Sequence, residues 1–146
     1  MKRTFKEDKI NGDLNEHKFM QYMKNTQNIN LTQSKDPFAE IDFKIKNKKH
    51  IIELKSRFIQ YKEFDTTMIG YNKIQKARRL KRKNYQTDIY FLFTDGLYKW
   101  EVNEDEIICT MPAVRLNRGK TEIKEHSFIP IKYLKFITNE ILSSNI

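Results

Sequence analysis

Three side chains of the types used for phosphoryl chemistry crowd into one short stretch, AEIDFKIKNKKHIIELKSRF, residues 39–58. Asp42 and Glu53 are carboxylates, and Lys55 is an ammonium two residues beyond the second acid. Apolar residues alternate with polar ones on both sides of KNKK. Ile41, Phe43 and Ile45 interleave with Glu40, Asp42, Lys44 and Lys46, and HIIELKSRF follows. Period-two alternation predicts two half-buried strands. Asn47 suits the left-handed backbone of a tight turn between them. With Asn47 and Lys48 as the turn, Ile45 faces His50, Phe43 faces Ile52 and Ile41 faces Leu54. One face is then apolar apart from His50. On the other face Asp42 stands opposite Glu53, and Glu40 opposite Lys55. A one-residue change of register would set Phe43 against Glu53 and break the apolar face, so the hydrophobic pattern itself puts the two acids together.

Directly opposed residues have Cβ atoms ~5 Å apart, and two ionised carboxylates at that range repel by about 1 kcal/mol in bulk-like solvent, more when buried. A shared proton, a neutralising lysine such as Lys55, or a bound divalent cation each relieve the repulsion. Mg²⁺ favours sites of one or two carboxylates with open water positions. The plainer reading is a solvated strand face with ordinary salt bridges.

The surrounding elements must hold this hairpin. GDLNEHKFMQYMKN (12–25) reads as a helix with Phe19, Met20 and Met23 on its apolar face. Asp13 and Glu16 have the spacing of a capping box. Residues 25–37 read as a polar loop ending at Pro37. IGYNKIQKARRLKRKNY (69–85) has helical spacing at Ile74, Ala77 and Leu80 and a dense basic run. TDIYFLFT is an apolar strand of a sheet centre, DG at 95–96 signals a type I′ turn, and LYKWEV returns. EIICTMPAV reads as a strand or an irregular segment, LNRGKTE as a basic loop, and HSFIPI as a short edge strand. PIKYLKFITNEIL reads as a C-terminal helix carrying Leu134, Ile137 and Ile141. The expected fold is α/β (α+β), a mixed central sheet flanked by helices in the order α-β-β-α-β-β with a C-terminal helix, and residues 1–146 form one domain with one core.

The order Asp42, ten residues, Glu53-Leu54-Lys55, on the two strands of a hairpin between two helices, resembles the PD-(D/E)XK nuclease superfamily over about residues 12 to 95. The family's proline before the first acid is Ile41 here. Asp36-Pro37 is reversed, which leaves Asp36 and Glu40 as rivals to Asp42. The resemblance implies a restriction-endonuclease-like sheet and a Mg²⁺- or Mn²⁺-dependent deoxyribonuclease, with Asp42, Glu53 and Lys55 catalytic. It also implies a metal held by Asp42, Glu53 and the Leu54 backbone carbonyl. Gly12 to Glu16 also resembles the junction-resolvase members, in which the helix glutamate joins the metal. Glu16 is thus either cap or ligand. Family members place a Lys or Gln early on the following helix, a position that Lys73, Gln75 and Lys76 match. Arg78 and Arg79 continue that basic run as candidate DNA-backbone contacts, against the plainer reading of a solvated helix face. Small junction resolvases of the superfamily act as homodimers, and a chain of this length suits that arrangement. The rival reading is a basic nucleic-acid-binding module that keeps the fold without the chemistry.

Composition agrees with an anionic partner. The 146 residues carry 28 Lys and Arg against 19 Asp and Glu, a formal charge of +9. Such a balance favours nucleic acid or an acidic surface. The lone Cys109 excludes a disulfide framework and a Cys-rich zinc site. His17, His50 and His126 have no metal-ligand spacing, and there is no Gly-rich phosphate loop or G-x-S-x-G. Tyr71, Tyr85, Tyr90 and Trp100 could stack on bases, though sheet and helix packing accounts for them more simply. No secretory leader and no membrane span are expected, which points to the cytoplasm, or the nucleus in a eukaryotic host.

Overall fold

The computed structural model describes residues 5–33, 43–117 and 120–143, with side chains for 13–33, 43–114 and 123–142. Asp42, together with its rivals Asp36 and Glu40, lies outside the described residues.

The fold is mixed α/β, built on a six-stranded mixed sheet. Its first helix, α1 (Phe5–Gln27), leads into β1 (Leu31–Gln33), β2 (Phe43–Ile45) and β3 (His50–Ser56). β4 (Thr66–Gly70) then runs directly into α2 (Tyr71–Lys81), and β5 (Gln86–Phe93) and β6 (Gly96–Glu101) follow. β7 (Cys109–Asn117) and β8 (Lys120–Pro130) form a long ribbon, and the described chain ends in β9 (Lys135–Thr138) and α3 (Glu140–Ser143). The large sheet has the order β1-β2-β3-β5-β6-β9, and a second sheet has the order β4-β8-β7.

The β2–β3 hairpin has the register that the hydrophobic alternation requires, with Phe43 opposite Ile52 and Lys44 opposite Ile51. Asn47 takes a positive φ of 64° in the turn, a conformation Asn tolerates better than most residues. From β3 the chain crosses through β4 and α2 to β5, which lies parallel to β3 with Glu53 beside Ile89 and Lys55 beside Phe91. A parallel neighbour demands such a crossover because a hairpin cannot reverse twice. Asn84, with φ 66°, ends the turn after α2, and the Tyr85 N–H reaches back 3.0 Å to the Leu80 carbonyl, satisfying a helix-terminal acceptor.

Alternation along β3 and β5 sends side chains to two cores. Ile52, Leu54, Tyr90 and Leu92 join Phe19 and Met23 of α1 on one face. Ile89, Phe91 and Phe93 join Ile74 of α2, Ile69 of β4 and Ile129 of β8 on the other. The single core expected from length is therefore two clusters sharing one sheet. Tyr90 and Trp100 are buried packing residues, so neither is placed to stack on a base.

Several elements differ from the sequence reading. α1 starts well before Asp13, so Asp13 and Glu16 sit inside the helix and form no capping box. β1 occupies part of the expected loop 25–37, and β4 is an additional strand. The element order is accordingly longer than α-β-β-α-β-β. In the β5–β6 turn Phe93 pairs with Gly96, which makes Thr94 and Asp95 the two turn residues, and neither has positive φ, so the turn is not type I′. HSFIPI is the middle strand of the small sheet and not an edge. The expected C-terminal helix is a single 3₁₀ turn at Ile131–Tyr133, strand β9 and only the short α3. There the buried Leu134 joins the α2-side core while Ile141 joins the other, a division that one continuous helix face could not make. No helix of the described residues is long and apolar enough to cross a membrane.

Candidate functional site

Glu53 is the acid around which the site is built. It lies in the middle of β3, flanked by Ile51 and Lys55 on the face turned toward α2, and only 4% of its surface is exposed. Strand periodicity puts Lys55 on the same face, with its Nζ 3.4 Å from Glu53 Oε1. The second cation arrives from elsewhere in the chain. β4 delivers the first turn of α2 over the end of β3, and Lys73 in that turn brings its Nζ to 2.8 Å from the same oxygen. Proximity gives strong Coulomb attraction, yet Glu53 Oε1 has no aligned hydrogen-bond donor. A buried carboxylate oxygen left in that condition carries a desolvation cost that a directed ligand would offset.

A groove of about 730 Å³ opens beside this pair. Lys55 and Arg57 from the end of β3, Lys73 and Gln75 from α2, and Lys124 and His126 from β8 contribute to its walls. Glu125 is the one acid among its lining residues. The first turn of α2 also contains no acidic residue, and Gly70 supplies no side-chain cap. The positive end of the helix dipole therefore adds to the field of the four cations. Arg57 is fixed by donating from Nη2 to the Met68 carbonyl and by lying 5.7 Å from the Phe91 ring centroid. Of the residues singled out in the sequence, Lys55, Lys73 and Gln75 line this groove. Glu53 is joined to it through Lys55 and Lys73, which contact its carboxylate and line the walls.

Other candidates sit apart. Lys76 and Arg79 lie farther along α2, outside the groove lining. Arg78 faces the opposite side of the helix, where its Nε donates to Glu104 Oε1 at 3.1 Å and its Nη2 donates to the same carboxylate. That clasp holds the Glu104 carboxyl below its ordinary range, chiefly through the hydrogen bond from Arg78, and raises the Arg78 guanidinium correspondingly. Glu16 accepts a hydrogen bond from Gln33 Nε2 at 2.6 Å. The neighbouring Asn15 Nδ2 donates to Ser56 Oγ at 3.0 Å, so this part of α1 is tied to the end of β3 that leads into the groove.

Sequence reasoning missed a second buried acid, Asp88, which is fully enclosed in β5. It shares the opposite sheet face with His50. His50 Nε2 contacts Asp88 Oδ2 at 2.5 Å, Gln86 Nε2 donates to Oδ1 at 3.2 Å, and Lys99 Nζ stands 3.6 Å away. The signal was present. His50 was the one polar residue on an apolar face, and Asp88 the one charge in an apolar run. Only the parallel register, with His50 beside Gln86 and Ile52 beside Asp88, joins them. Arg57, next to the end of β3, escaped notice as a groove residue, and so did Lys124 and His126, because the β4–β8 pairing that brings β8 to α2 spans some sixty residues of sequence.

Among the described residues no cluster of three or more His, Cys, Asp and Glu side chains has the geometry of a metal centre. Of the metal donors that the resemblance implied at the hairpin, the Glu53 carboxylate and the Leu54 carbonyl lie among the described residues and Asp42 does not. Comparison with protein-family models, with characterised proteins and with solved structures gave no match.

Proposed function

We propose that the groove beside Glu53 is the active site of a metal-dependent DNA phosphodiesterase on a restriction-endonuclease-like fold. The carrying observation is the buried Glu53, with two ammonium groups on one oxygen and neither aligned to hydrogen-bond it, beside a groove walled by Lys55, Arg57, Lys73 and Lys124. A hairpin that carries the acid, a helical crossover and a parallel strand beside it support the fold assignment.

Glu53 and the Leu54 carbonyl would hold a Mg²⁺ or Mn²⁺ ion together with Asp42, and the bound ion would supply a water of lowered pKa and neutralise developing charge. A hard-oxygen donor set of this kind suits Mg²⁺, and a Glu53 oxygen met by two ammonium groups but by no aligned hydrogen bond fits it. The chain's own groups do the rest. Lys55 stands where it can orient a water or neutralise the scissile phosphate. Lys73, at the N-terminus of α2, holds a non-bridging phosphate oxygen once it leaves Glu53. Arg57 and Lys124 bind flanking phosphates and carry no base information.

The test is a cleavage gel. Purified protein cuts labelled DNA with Mg²⁺ or Mn²⁺ and not with EDTA, and Glu53→Gln and Lys55→Ala proteins of normal fold do not cut. Full activity in either variant overturns the assignment.

One observation favours a second reading, a basic DNA-binding module without catalysis. Lys73 already neutralises Glu53 at 2.8 Å without any metal. Calorimetric titration with Mn²⁺ separates the two, since a site closed by its own lysine takes up no ion.

A further inference from the structure

The groove is bounded on one side by the root of the β7–β8 ribbon, and the ribbon does not stop there. β4 pairs with β8 only from Gly70 opposite His126 to Thr66 opposite Pro130. From Pro112 opposite Glu125 out to Asn117 opposite Lys120, β7 and β8 pair with each other alone among the described residues. At ~3.4 Å per residue this free ribbon reaches about 20 Å beyond the small sheet. Two strands by themselves are marginally stable, and so long an extension needs a reason.

Val114 and Ile123 face each other across that free ribbon. They are 70% and 69% exposed, the most exposed large apolar side chains among the described residues. Strand parity puts Ile123 on the same ribbon face as Glu125, Ser127 and Ile129. Ile129 packs in the core with Ile74 of α2, and Glu125 lines the groove. The apolar pair therefore lies on the ribbon face that carries Glu125, beyond the ribbon residues that line the groove.

We propose that the ribbon is a wedge for branched DNA, in which Val114 and Ile123 press against bases where the duplex is already parted while Lys55, Arg57, Lys73 and Lys124 hold the adjoining phosphates. The inference rests on the nuclease reading for its substrate and names the substrate class that reading left open. Charge selects the occupant. An apolar pair beside four groove cations on a chain of net charge +9 complements a polyanion with exposed base faces, and it repels a second copy of the same basic face. Two side chains also fall far short of the ~1,200–2,000 Å² of a stable protein interface. Aliphatic side chains are the type that insert at base steps, and insertion is least costly where stacking is already broken.

The test uses the Val114→Ser/Ile123→Ser double variant, whose substitutions are at exposed positions, with an unchanged thermal midpoint as the check on folding. Anisotropy in EDTA compares a labelled flap with a linear duplex of the same sequence. We expect flap affinity to fall about tenfold and duplex affinity by less than about twofold, the scale of one unstacked step. A 2-aminopurine at the branch should brighten on binding the unaltered protein and not the variant. Equal losses on both substrates, or none, overturn the wedge. So does an unaltered protein that sediments as a dimer and a variant that sediments as a monomer, which would put a second copy on the ribbon. Because binding is read without metal, absence of Mg²⁺-dependent cutting by the unaltered protein would count against the nuclease reading and leave the wedge standing.

Discussion

Glu53 and Asp88 lie on neighbouring strands of one sheet, and both are withdrawn from water, yet they are served differently. Asp88 is saturated, with His50 and Lys99 at one oxygen and Gln86 bridging to both. Glu53 has two ammonium groups crowding a single oxygen, neither aligned to hydrogen-bond it. A buried carboxylate normally survives because its lone pairs are met. Asp88 obeys that rule and stands apart from the cationic groove. Glu53 departs from it next to a groove lined by four cations, a departure of the kind found where groups are retained for chemistry.

The sharpest break between the two is substitution by the neutral isostere. Glu53→Gln should lower metal-dependent cutting by at least about a hundredfold, the scale of losing one preorganised charge contact. It should barely change stability, because Lys55 and Lys73 are 30% and 17% exposed and can turn to solvent once released. Asp88→Ala should do the reverse. Removing one member of a buried charged cluster costs about 3–5 kcal/mol, read as a lower urea midpoint, while cutting at low temperature persists. Should both variants lose activity and stability together, the division between a chemical acid and a structural acid collapses.

The two lysines on Glu53 sharpen the contrast further. Lys55 is fixed by strand periodicity to the face of Glu53, whereas Lys73 reaches it from another element. Lys55→Ala should therefore remove nearly all cutting. Lys73→Ala should cost about tenfold, or ~1.4 kcal/mol of transition-state stabilisation, and strengthen Mn²⁺ uptake by removing a competitor for Glu53. Calorimetry with each variant reads both effects, and weaker Mn²⁺ binding in Lys73→Ala would contradict the competition.

The same contrast explains what could be read in the sequence. The local relation of Glu53 to Lys55 was legible because period-two alternation is a property of one strand. The Phe43–Ile52 register followed from the apolar face it had to complete. The groove was only half legible. Lys73 lies eighteen residues beyond Lys55, and only the crossover through β4 and α2 places it on Glu53. Lys124 and His126 enter through β8, whose pairing with β4 leaves no local mark in either segment. The C-terminal helix failed for a related reason. Leu134, Ile137 and Ile141 have helical spacing, but Leu134 and Ile141 serve opposite faces of the sheet, and periodicity cannot tell two cores from one.

Arg78 provides the smallest effects and the control for the groove. It belongs to the same basic run as Lys73 but spends its donors on Glu104 across the helix. Lys124→Ala should lower the slope of log affinity for DNA against log salt by about 0.9, one phosphate contact, and Arg78→Ala should leave it nearly unchanged. A slope that falls equally in both would return Arg78 to the DNA-binding set.

The acid limb of stability tests the clasp itself. The Glu104 carboxyl is held below its ordinary value by the hydrogen bond from Arg78. Its stabilisation is therefore complete above the unfolded value of ~4.3 and is lost as the pH falls through the lower folded value. The raised guanidinium adds no change in that window, since it stays charged on both sides of unfolding. Glu104→Gln should lower the thermal midpoint slightly at pH 6, as exposed ion pairs contribute little, and the difference should vanish in acid once the pH is below the lowered folded value, where the unaltered protein has lost the same charge. A difference that persists in acid would mean that Glu104 acts through packing and not through its ion pair. Arg78 would then not be held by that ion pair, and the groove would lose its boundary along α2.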